Sequence, residues 1–282
     1  MPELPELQAL TEGLTAALAG RSVRGAWAHP AALRTADPPL AALEGRALLG
    51  ARRRGKLVLI DAEGGLVLAL HLMQAGRLGL GTTREGTPGR RVALELRLDD
   101  GRSLRLRELS TTRRASVHLL TKAGLAEHRP MARLGPEPLG LTGDRWREAL
   151  AAPPARLHTA LRDGRRVAGV GRCYASEIMW AARLAPFAMT DRLDEQAWER
   201  LASAAATVLE GATERARERI STDMPDRERR VTAVHGHHGE PCLRCGTALD
   251  RVSFTEYELV YCAECQTGGR RYADRRRSRF LR

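Results

Sequence analysis

The first residues that could do chemistry stand at the amino terminus, where the chain begins MPELPEL although the protein as a whole is basic. Trimming of the initiator methionine, which is expected before a small residue, gives Pro2 a free secondary amine. An α-amino group titrates at roughly 8 and a lysine at roughly 10.4, so this amine is the more available nucleophile at neutral pH. Pro5 and the leucines spaced behind it also fit the start of an ordinary helix. The two interpretations are compatible.

Four of the five cysteines form a second chemical group. They stand in two CxxC pairs with sixteen residues between the pairs: Cys242, Cys245, Cys262 and Cys265. Two residues between thiolates let both reach one ion from a tight turn, and the intervening DRVSFTEYELVY reads as strands that return the chain to that ion. The spacing predicts one structural zinc that contributes to the folding free energy. Cys173 is expected to be an ordinary buried thiol. Four sulfurs saturate the ion, so the nearby His235, His237 and His238 are expected to be solvated or to face DNA.

Two further segments have features of phosphate binding. In VAGVGRCYASE, Gly169 and Gly171 permit a tight turn, and a helix beginning near Arg172 points its positive dipole end into that turn. The carboxyl-terminal segment has seven arginines between Arg270 and Arg282. That segment is either a phosphate-binding arm or a disordered solubilising end.

The composition restricts the partner of these groups. The 282 residues include 46 Lys and Arg against 34 Asp and Glu, a net charge of +12. Such a charge favours a polyanion, either nucleic acid or an anionic membrane surface. No apolar run approaches the roughly 20 residues of a membrane span, and no basic-then-apolar secretion signal opens the chain. We therefore expect a cytoplasmic protein, in which five cysteines argue against a disulfide framework.

The elements that must position these residues change character along the chain. The segments KLVLIDAEGGLVLALHL and RVALELRLDDGRSLRLREL read as two hairpins, turning near residues 63–65 and 100–101. Two hairpins after one helix suggest a β-sandwich or barrel. Beyond a boundary near 127–138 the pattern is helical, in TGDRWREALAA, ARLHTALRDG, CYASEIMWAARLA and DEQAWERLASAAATVLEGA. The chain is therefore predicted to be an α+β protein with more than one domain.

Taken in order, these motifs resemble the Fpg/Nei family of DNA glycosylases, the formamidopyrimidine-DNA glycosylase and endonuclease VIII type. The resemblance runs from residue 1 to about 266. The motifs that carry it are PELPE, RGK at Arg54-Gly55-Lys56, HLxxxGRL from His71 to Leu78, TRRxS from Thr112 to Ser116, LGPEPL from Leu134 to Leu139, GVGxxYASE from Gly169 to Glu177, and the terminal CxxC…CxxCQ.

The resemblance implies a monomer that binds damaged or abasic DNA between two domains, associates with the nucleoid and has no membrane partner. The implied fold is an N-terminal β-sandwich with flanking helices, then a helix-two-turn-helix module and a zinc finger. The expected divisions are the catalytic domain 1–126, a linker 127–140, the helical DNA-binding domain 141–233, the zinc finger 234–268 and the basic tail 269–282.

The resemblance also implies an activity, namely excision of damaged bases followed by strand cleavage through β,δ-elimination. Pro2 is then the nucleophile that attacks the sugar C1′ and forms an imine, and Glu3 supplies the proton that opens the deoxyribose ring. The imine acidifies the C2′ proton, so one amine both releases a base and cleaves the strand. Glu6 is the second acid of the opening motif, and Lys56 reaches the DNA backbone at the lesion.

The chain departs from the family pattern at residues that would touch DNA. After His71, Gln74 stands where the family usually has a void-filling methionine, and Met73 comes one place early. The Arg113-Arg114 pair is followed by alanine instead of the aromatic wedge of RRF. The residues that normally hold the base stack open are therefore replaced at both positions.

The phosphate clamp, meaning the two residues that hold the phosphate of the everted nucleotide in the family, is also altered. Arg172 replaces the usual asparagine that follows Gly171, and Tyr257 replaces the arginine of the zinc hairpin, five residues before the third cysteine. Those two positions normally hold the phosphate of the everted nucleotide. Arg172 keeps a donor, but tyrosine is a poor substitute for a charged fork.

Three functions remain open from the sequence. The first is a bifunctional glycosylase and abasic-site lyase with an altered preference, for bulky adducts, crosslinks or single-stranded DNA, beside which an ordinary oxidised-purine glycosylase is the alternative. The second is a damage-binding protein with little turnover. The third is unrelated N-terminal-proline chemistry on a small molecule, which the zinc module and the charge disfavour.

Overall fold

The computed structural model describes residues 1–83, 86, 88–227, 230–255 and 257–272, and these divide into two compact units. The first unit consists of Met1–Arg133 together with Thr213–Glu228, and the second of Leu134–Ala212 together with Arg229–Arg282. Within the described ranges, no helix has both the length and the apolar character needed to cross a membrane. The arginine-rich segment predicted as a tail lies outside the described residues from position 273 onward.

The first unit is built from two sheets and a long amino-terminal helix. Helix α1 spans Leu4–Leu18, and its leucines at helical spacing are buried. The first sheet has the order β1-β7-β8-β6 and the second β2-β9-β5-β4-β3. The strands are β1 Val23–Ala28, β2 Leu33–Asp37, β3 Leu48–Arg54, β4 Leu57–Ala62, β5 Leu66–His71, β6 Gly76–Thr82, β7 Val92–Leu98, β8 Arg102–Glu108 and β9 Ser116–Thr121. Two short helices follow, α2 Lys122–Glu127 and α3 Arg129–Ala132.

One hydrophobic core joins the two sheets and α1. Apolar residues of β4, β5 and β9 pack with those of β6, β7 and β8, as expected of a sandwich whose sheets bury one face each. Ala216, Ile220 and Met224, from the later segment of this unit, belong to the same core. The sandwich therefore gives a rigid support for the amino terminus and for the loops at the strand ends.

The second unit is mainly helical and ends in a small hairpin. Its elements are α4 Gly143–Leu150, α5 Leu157–Arg162, α6 Arg172–Ala181, α7 Glu195–Arg217, whose last five residues belong to the first unit, β10 Asp250–Ser253, β11 Glu258–Tyr261 and α8 Ala263–Thr267. Trp146 and Trp198 are fully buried on α4 and α7. Strands β10 and β11 pair antiparallel, which brings the two CxxC segments together.

The predicted mixed fold is confirmed, including both hairpins of the first half. Strands β4 and β5 pair antiparallel across the turn at Glu63–Gly65, and β7 and β8 pair across the turn at Gly101, whose φ of 78° suits glycine. The sheets also contain strands that the local sequence pattern did not predict, among them β3, which pairs antiparallel with β4 across the two-residue turn at Gly55-Lys56. One of them, β2, pairs with β9 in parallel, a contact between segments far apart in sequence.

Candidate active site and zinc centre

The amino-terminal residues are fixed at the start of α1. Pro2 is buried, and so are the side chains of Glu3 and Glu6. Glu6 Oε2 accepts the backbone N–H of Glu3 at 2.9 Å, one half of a capping box. The residues predicted to carry the chemistry are therefore also the residues that begin the helix. The α1 N-terminus holds the Pro2–Glu3 pair at one place against the sandwich core.

Lys56 and His71 are neighbours where β4 begins and β5 ends, in the middle of the second sheet. Lys56 follows Gly55, which has φ of 56° in the turn between β3 and β4, and the next residue, Leu57, pairs with His71. Burial, together with the charge of Lys56, lowers the pKa of His71 to about 4. The ring is therefore neutral at pH 7, and its Nδ1 accepts the N–H of Met73 at 3.1 Å. Neutral His71 can thus lie beside a lysine without charge repulsion.

The loop after His71 is tightly folded and carries the residues expected near the base stack. Met73 has a φ of 54°, in the left-handed region that non-glycine residues rarely adopt, while Gln74 is exposed at the tip. A Cβ at Gly76 would lie 2.2 Å from Leu72 O, so the loop closes only with glycine there. Arg77 Nη1 donates to Gln74 O at 3.2 Å and holds the tip from below.

The loop that contains Arg113 and Arg114 is held by hydrogen bonds to the side chain of Glu108. Glu108 is buried, and its Oε1 accepts the backbone N–H groups of Arg114 at 2.6 Å and Ala115 at 2.7 Å. The Arg113 guanidinium is turned onto the main chain, where it donates to the carbonyls of Arg90 and Val92. Arg114 is exposed, whereas Ala115 is 0% exposed and packs in the core. Ala115 therefore presents no surface that could fill a gap in a base stack.

The glycine turn predicted to bind phosphate leads directly into α6. Gly169 has φ of 83°, and Gly171 is the N-cap residue of the helix whose first residue is Arg172. The Arg172 guanidinium carbon lies 4.4 Å from the centre of the Tyr257 ring. The two predicted clamp positions are thus in direct contact, although they are 85 positions apart in the sequence.

A third residue joins this contact. Arg162, the last residue of α5, places its guanidinium carbon 4.2 Å from the centre of the same Tyr257 ring. Phe254 stacks on Tyr257 with 4.5 Å between ring centres and 9° between their planes. Sequence reasoning missed Arg162, because an arginine at the end of a short amphipathic helix gives no sign of its distant partner.

Glu177 links α6 to the segment that enters the zinc finger. Its carboxylate is buried and accepts the backbone N–H groups of Ala233, Val234 and His235 at 2.7, 3.0 and 2.8 Å. Glu177 was visible in the sequence as part of a motif, but its role was not. Both carboxylate oxygens of Glu177 accept from consecutive backbone N–H groups, and these contacts fix the start of the zinc finger relative to α6.

The four predicted cysteines converge as expected. Their sulfurs lie within 4.8 Å of one another, with 3.5 Å between Cys245 and Cys262 and 4.0 Å between Cys242 and Cys265. Sulfurs at the corners of a zinc tetrahedron with bonds of about 2.3 Å are about 3.8 Å apart, so the arrangement fits one structural zinc. Trp180 Nε1 donates to Cys242 Sγ at 3.4 Å and steadies one ligand from outside.

The remaining predicted residues near the finger do not join the ligand set. Among the described residues only the four cysteines gather as a possible metal site. His237 instead contacts the Glu240 carboxylate at 2.8 Å through Nδ1 and the Thr232 hydroxyl at 3.0 Å through Nε2. Cys173 is buried on α6, in agreement with the prediction of an ordinary thiol.

Comparison with known proteins gives matches along nearly the whole chain. Family models match at residues 1–115 (formamidopyrimidine-DNA glycosylase N-terminal domain), 134–224 (formamidopyrimidine-DNA glycosylase H2TH domain) and 239–268 (zinc finger found in FPG and IleRS). The formamidopyrimidine-DNA glycosylase of Geobacter sulfurreducens is 33% identical over 275 residues, covering 94% of this chain and all of the relative.

Solved structures give the same match. The MutM (Fpg) protein of Thermus thermophilus superposes with a TM-score of 0.79 at 30% identity, covering 94% of this chain and 98% of that one. Lactococcus lactis Fpg in complex with DNA containing an abasic site gives a TM-score of 0.80 at 22% identity, with coverage of 94% and 99%. The second likeness concerns the fold alone.

Proposed function

The chain belongs to the formamidopyrimidine-DNA glycosylase family, and from that membership we propose that it is a DNA glycosylase of base-excision repair that also cleaves the strand at abasic sites. The observation that carries the proposal is the buried Pro2–Glu3 pair at the start of α1, a nucleophile and an acid held by a helix cap.

In this proposal the secondary amine of Pro2 attacks C1′ of the damaged nucleotide, and the base leaves with its bonding electrons and a proton. Glu3 donates a proton to the ring oxygen as the sugar opens and the imine forms. The imine draws electrons from C2′, so loss of the C2′ proton breaks the bond to the 3′ phosphate, and a second elimination breaks the bond to the 5′ phosphate. Glu6 orients Glu3 through its backbone N–H.

Lys56 and His71 are proposed to serve the DNA backbone at the lesion. A lysine ammonium is a point charge suited to a phosphate, and the low pKa of His71 keeps the neighbouring ring neutral, so the lysine is the only cation of this pair at pH 7. His71 retains a neutral N–H donor at Nε2, since its Nδ1 accepts from Met73.

An altered lesion preference is part of the proposal. Gln74 and Ala115 occupy the two positions that hold an opened base stack in the family. Gln74 is exposed at the loop tip, but Ala115 is wholly buried, so only one of the two positions reaches the surface. A base that must be extruded from a stable duplex then costs more unstacking free energy than one that is already unpaired. We propose that destabilised or single-stranded DNA is cut in preference to an intact duplex carrying the same lesion.

Borohydride trapping tests the nucleophile. The mature protein should form a covalent complex with a duplex containing an abasic site, since reduction fixes the imine. An amino-terminal extension that acylates Pro2 should abolish the complex, and Pro2→Gly should retain a weaker primary amine. A matched control is the same extension placed at the carboxyl terminus. Undiminished trapping by the blocked protein would contradict the proposal and point to Lys56.

Single-turnover cleavage tests the preference. The mature protein is compared on 8-oxoguanine opposite cytosine, on the same lesion in a mismatched bubble, and on the single strand. Faster cutting of the bubble and single strand is expected. Equal or faster cutting of the intact duplex would identify an ordinary oxidised-purine glycosylase, and trapping without turnover on any lesion would identify a damage-binding protein.

A further inference from the structure

The aromatic residues of this chain are unevenly distributed. The sequence contains only three phenylalanines and four tyrosines. Five of these rings, together with the buried ring of His158, form one connected cluster in the second unit: Phe187, Phe254, Tyr257, Tyr261 and Tyr272. The concentration of these few rings in one place indicates that they have a specific role there.

Arginines lie over this cluster, and two of them share one ring. The guanidinium carbons of Arg162 and Arg172 are 4.2 and 4.4 Å from the centre of the Tyr257 ring, close to the best range for a cation–π contact. Both side chains are half-buried. The electron-rich face of the ring holds the planar guanidinium groups in fixed orientations, which a flexible surface arginine lacks.

The charge of Arg162 is not neutralised by a carboxylate within the described part of the chain. The nearest candidate in sequence, Asp163, is held by Arg165, whose Nε and Nη2 donate to its two oxygens at 2.9 Å each. The positive charges of Arg162 and Arg156 reach His158, whose pKa falls to about 4, mainly because of burial. The charge of Arg162 is therefore available to pair with a bound anion.

We propose that Arg162 and Arg172, oriented by Tyr257, together form the phosphate clamp for the DNA nucleotide that is turned out at the lesion. Arg162 is then a phosphate-binding residue, and Tyr257 a positioning residue. The inference rests on the proposed function, because the phosphate belongs to DNA. In this chain the positively charged side chains stand at the end of α5 and at the start of α6, and the zinc hairpin supplies the Tyr257 ring on which they lie.

The location of Arg172 supports this assignment. It is the first residue of the ten-residue helix α6, so its guanidinium adds to the positive end of the helix dipole. Two guanidinium forks can bind different oxygens of one phosphate, whereas an asparagine and an arginine offer one charged fork. Glu177, one helical turn and a half further along α6, ties this helix to the residues that precede the finger and so keeps Arg172 in register with Tyr257.

Equilibrium binding by the full-length, zinc-loaded protein tests the clamp. The probe is a duplex with a tetrahydrofuran abasic analogue, which cannot be cleaved, measured between about 50 and 200 mM salt. Arg162→Ala should weaken binding roughly tenfold and lower the slope of log K against log salt by about one. Arg145→Ala is the matched control, because it removes an exposed α4 arginine paired with Glu148 in the same unit and should leave both quantities unchanged.

The role of the ring is tested separately. Tyr257→Phe keeps the aromatic face and should bind like wild type, while Tyr257→Leu should lose about as much affinity as Arg162→Ala. In the Tyr257→Leu background, Arg162→Ala should add little, since the two residues act as one unit. Arg162→Lys keeps the charge without the stacking plane and should keep the salt slope while losing affinity. Zinc content and melting temperature confirm that each variant is folded.

The outcomes separate this inference from the proposed function. If Arg162→Ala keeps wild-type affinity and slope, the clamp assignment is overturned. If Tyr257→Phe is as weak as Tyr257→Leu, the phenol and not the ring is responsible, and the positioning role is overturned. If the wild type binds the abasic analogue no more tightly than undamaged duplex, the proposed function itself fails, whatever the variants do.

Discussion

Replacement of Glu177 by alanine should destabilise the second unit more than almost any other single change of a charged residue. The Glu177 side chain is 7% exposed, and its carboxylate accepts three backbone N–H groups in succession, from Ala233, Val234 and His235. The truncation therefore removes the carboxylate and leaves the three backbone N–H groups without the acceptor they had.

The magnitude follows from these three contacts. A hydrogen bond to a charged group contributes about 1.5–3 kcal/mol, and a buried amide left unsatisfied costs about 1–3 kcal/mol. Only the contact to Val234 is fully buried, while water can reach the other two, so the effects do not add in full. We expect a loss of about 3–5 kcal/mol in the free energy of unfolding. For a unit of this size that lowers the melting temperature by roughly 6–20 °C.

Thermal unfolding of the zinc-saturated protein measures this effect, and the rate of zinc release to a chelator measures its local consequence. Zinc should leave faster from Glu177→Ala, because the segment that enters the finger is no longer held. Glu148→Ala is the control: Glu148 is 62% exposed and pairs with Arg145 at the surface, so its removal should change stability by less than about 1 kcal/mol. A melting temperature within about 2 °C of wild type for Glu177→Ala would refute the reasoning.

Three further predictions concern the metal, the loop after β5 and the buried histidines. Cys262→Ser should reduce zinc below one ion per chain in metal analysis, while Cys173→Ala, a buried thiol of α6, should leave the zinc content unchanged; equal zinc in both would exclude the four-cysteine site. Gly76→Ala should destabilise the protein by about 2–3 kcal/mol, since its Cβ would lie 2.2 Å from Leu72 O, whereas Gly81→Ala on the same strand has no heavy atom within 4 Å and should unfold like wild type. Burial lowers the pKa of His71, His118 and His158 to about 4, so each takes up a proton on unfolding once the pH is below about 6.5. Their contribution to stability is complete above that pH and is lost as the pH falls toward 4, by about 2 kcal/mol per histidine at pH 5; a melting temperature unchanged between about pH 7 and pH 5 would contradict this assignment.

The features that the sequence determined are those encoded by neighbouring residues. The leucine spacing predicted α1, and the turn residues at 63–65 and 101 predicted two hairpins, because helix periodicity and turn conformation depend on local backbone preferences. The CxxC spacing predicted the zinc site for the same reason: each pair needs only its own tight turn, and β10 and β11 are short enough to return the chain. The ordered motifs likewise identified the family.

The tertiary structure decided how distant residues meet. Nothing local indicates that Arg162 and Tyr257, which are 95 positions apart, lie at 4.2 Å, or that Ala115 is wholly buried. The three acceptor contacts of Glu177 also join segments more than fifty residues apart. Such contacts depend on which faces of helices and sheets pack together, and packing is fixed by the whole hydrophobic core instead of by any one segment. For this reason the sequence predicted an altered phosphate clamp, and only the fold showed that a second arginine, Arg162, lies over the Tyr257 ring.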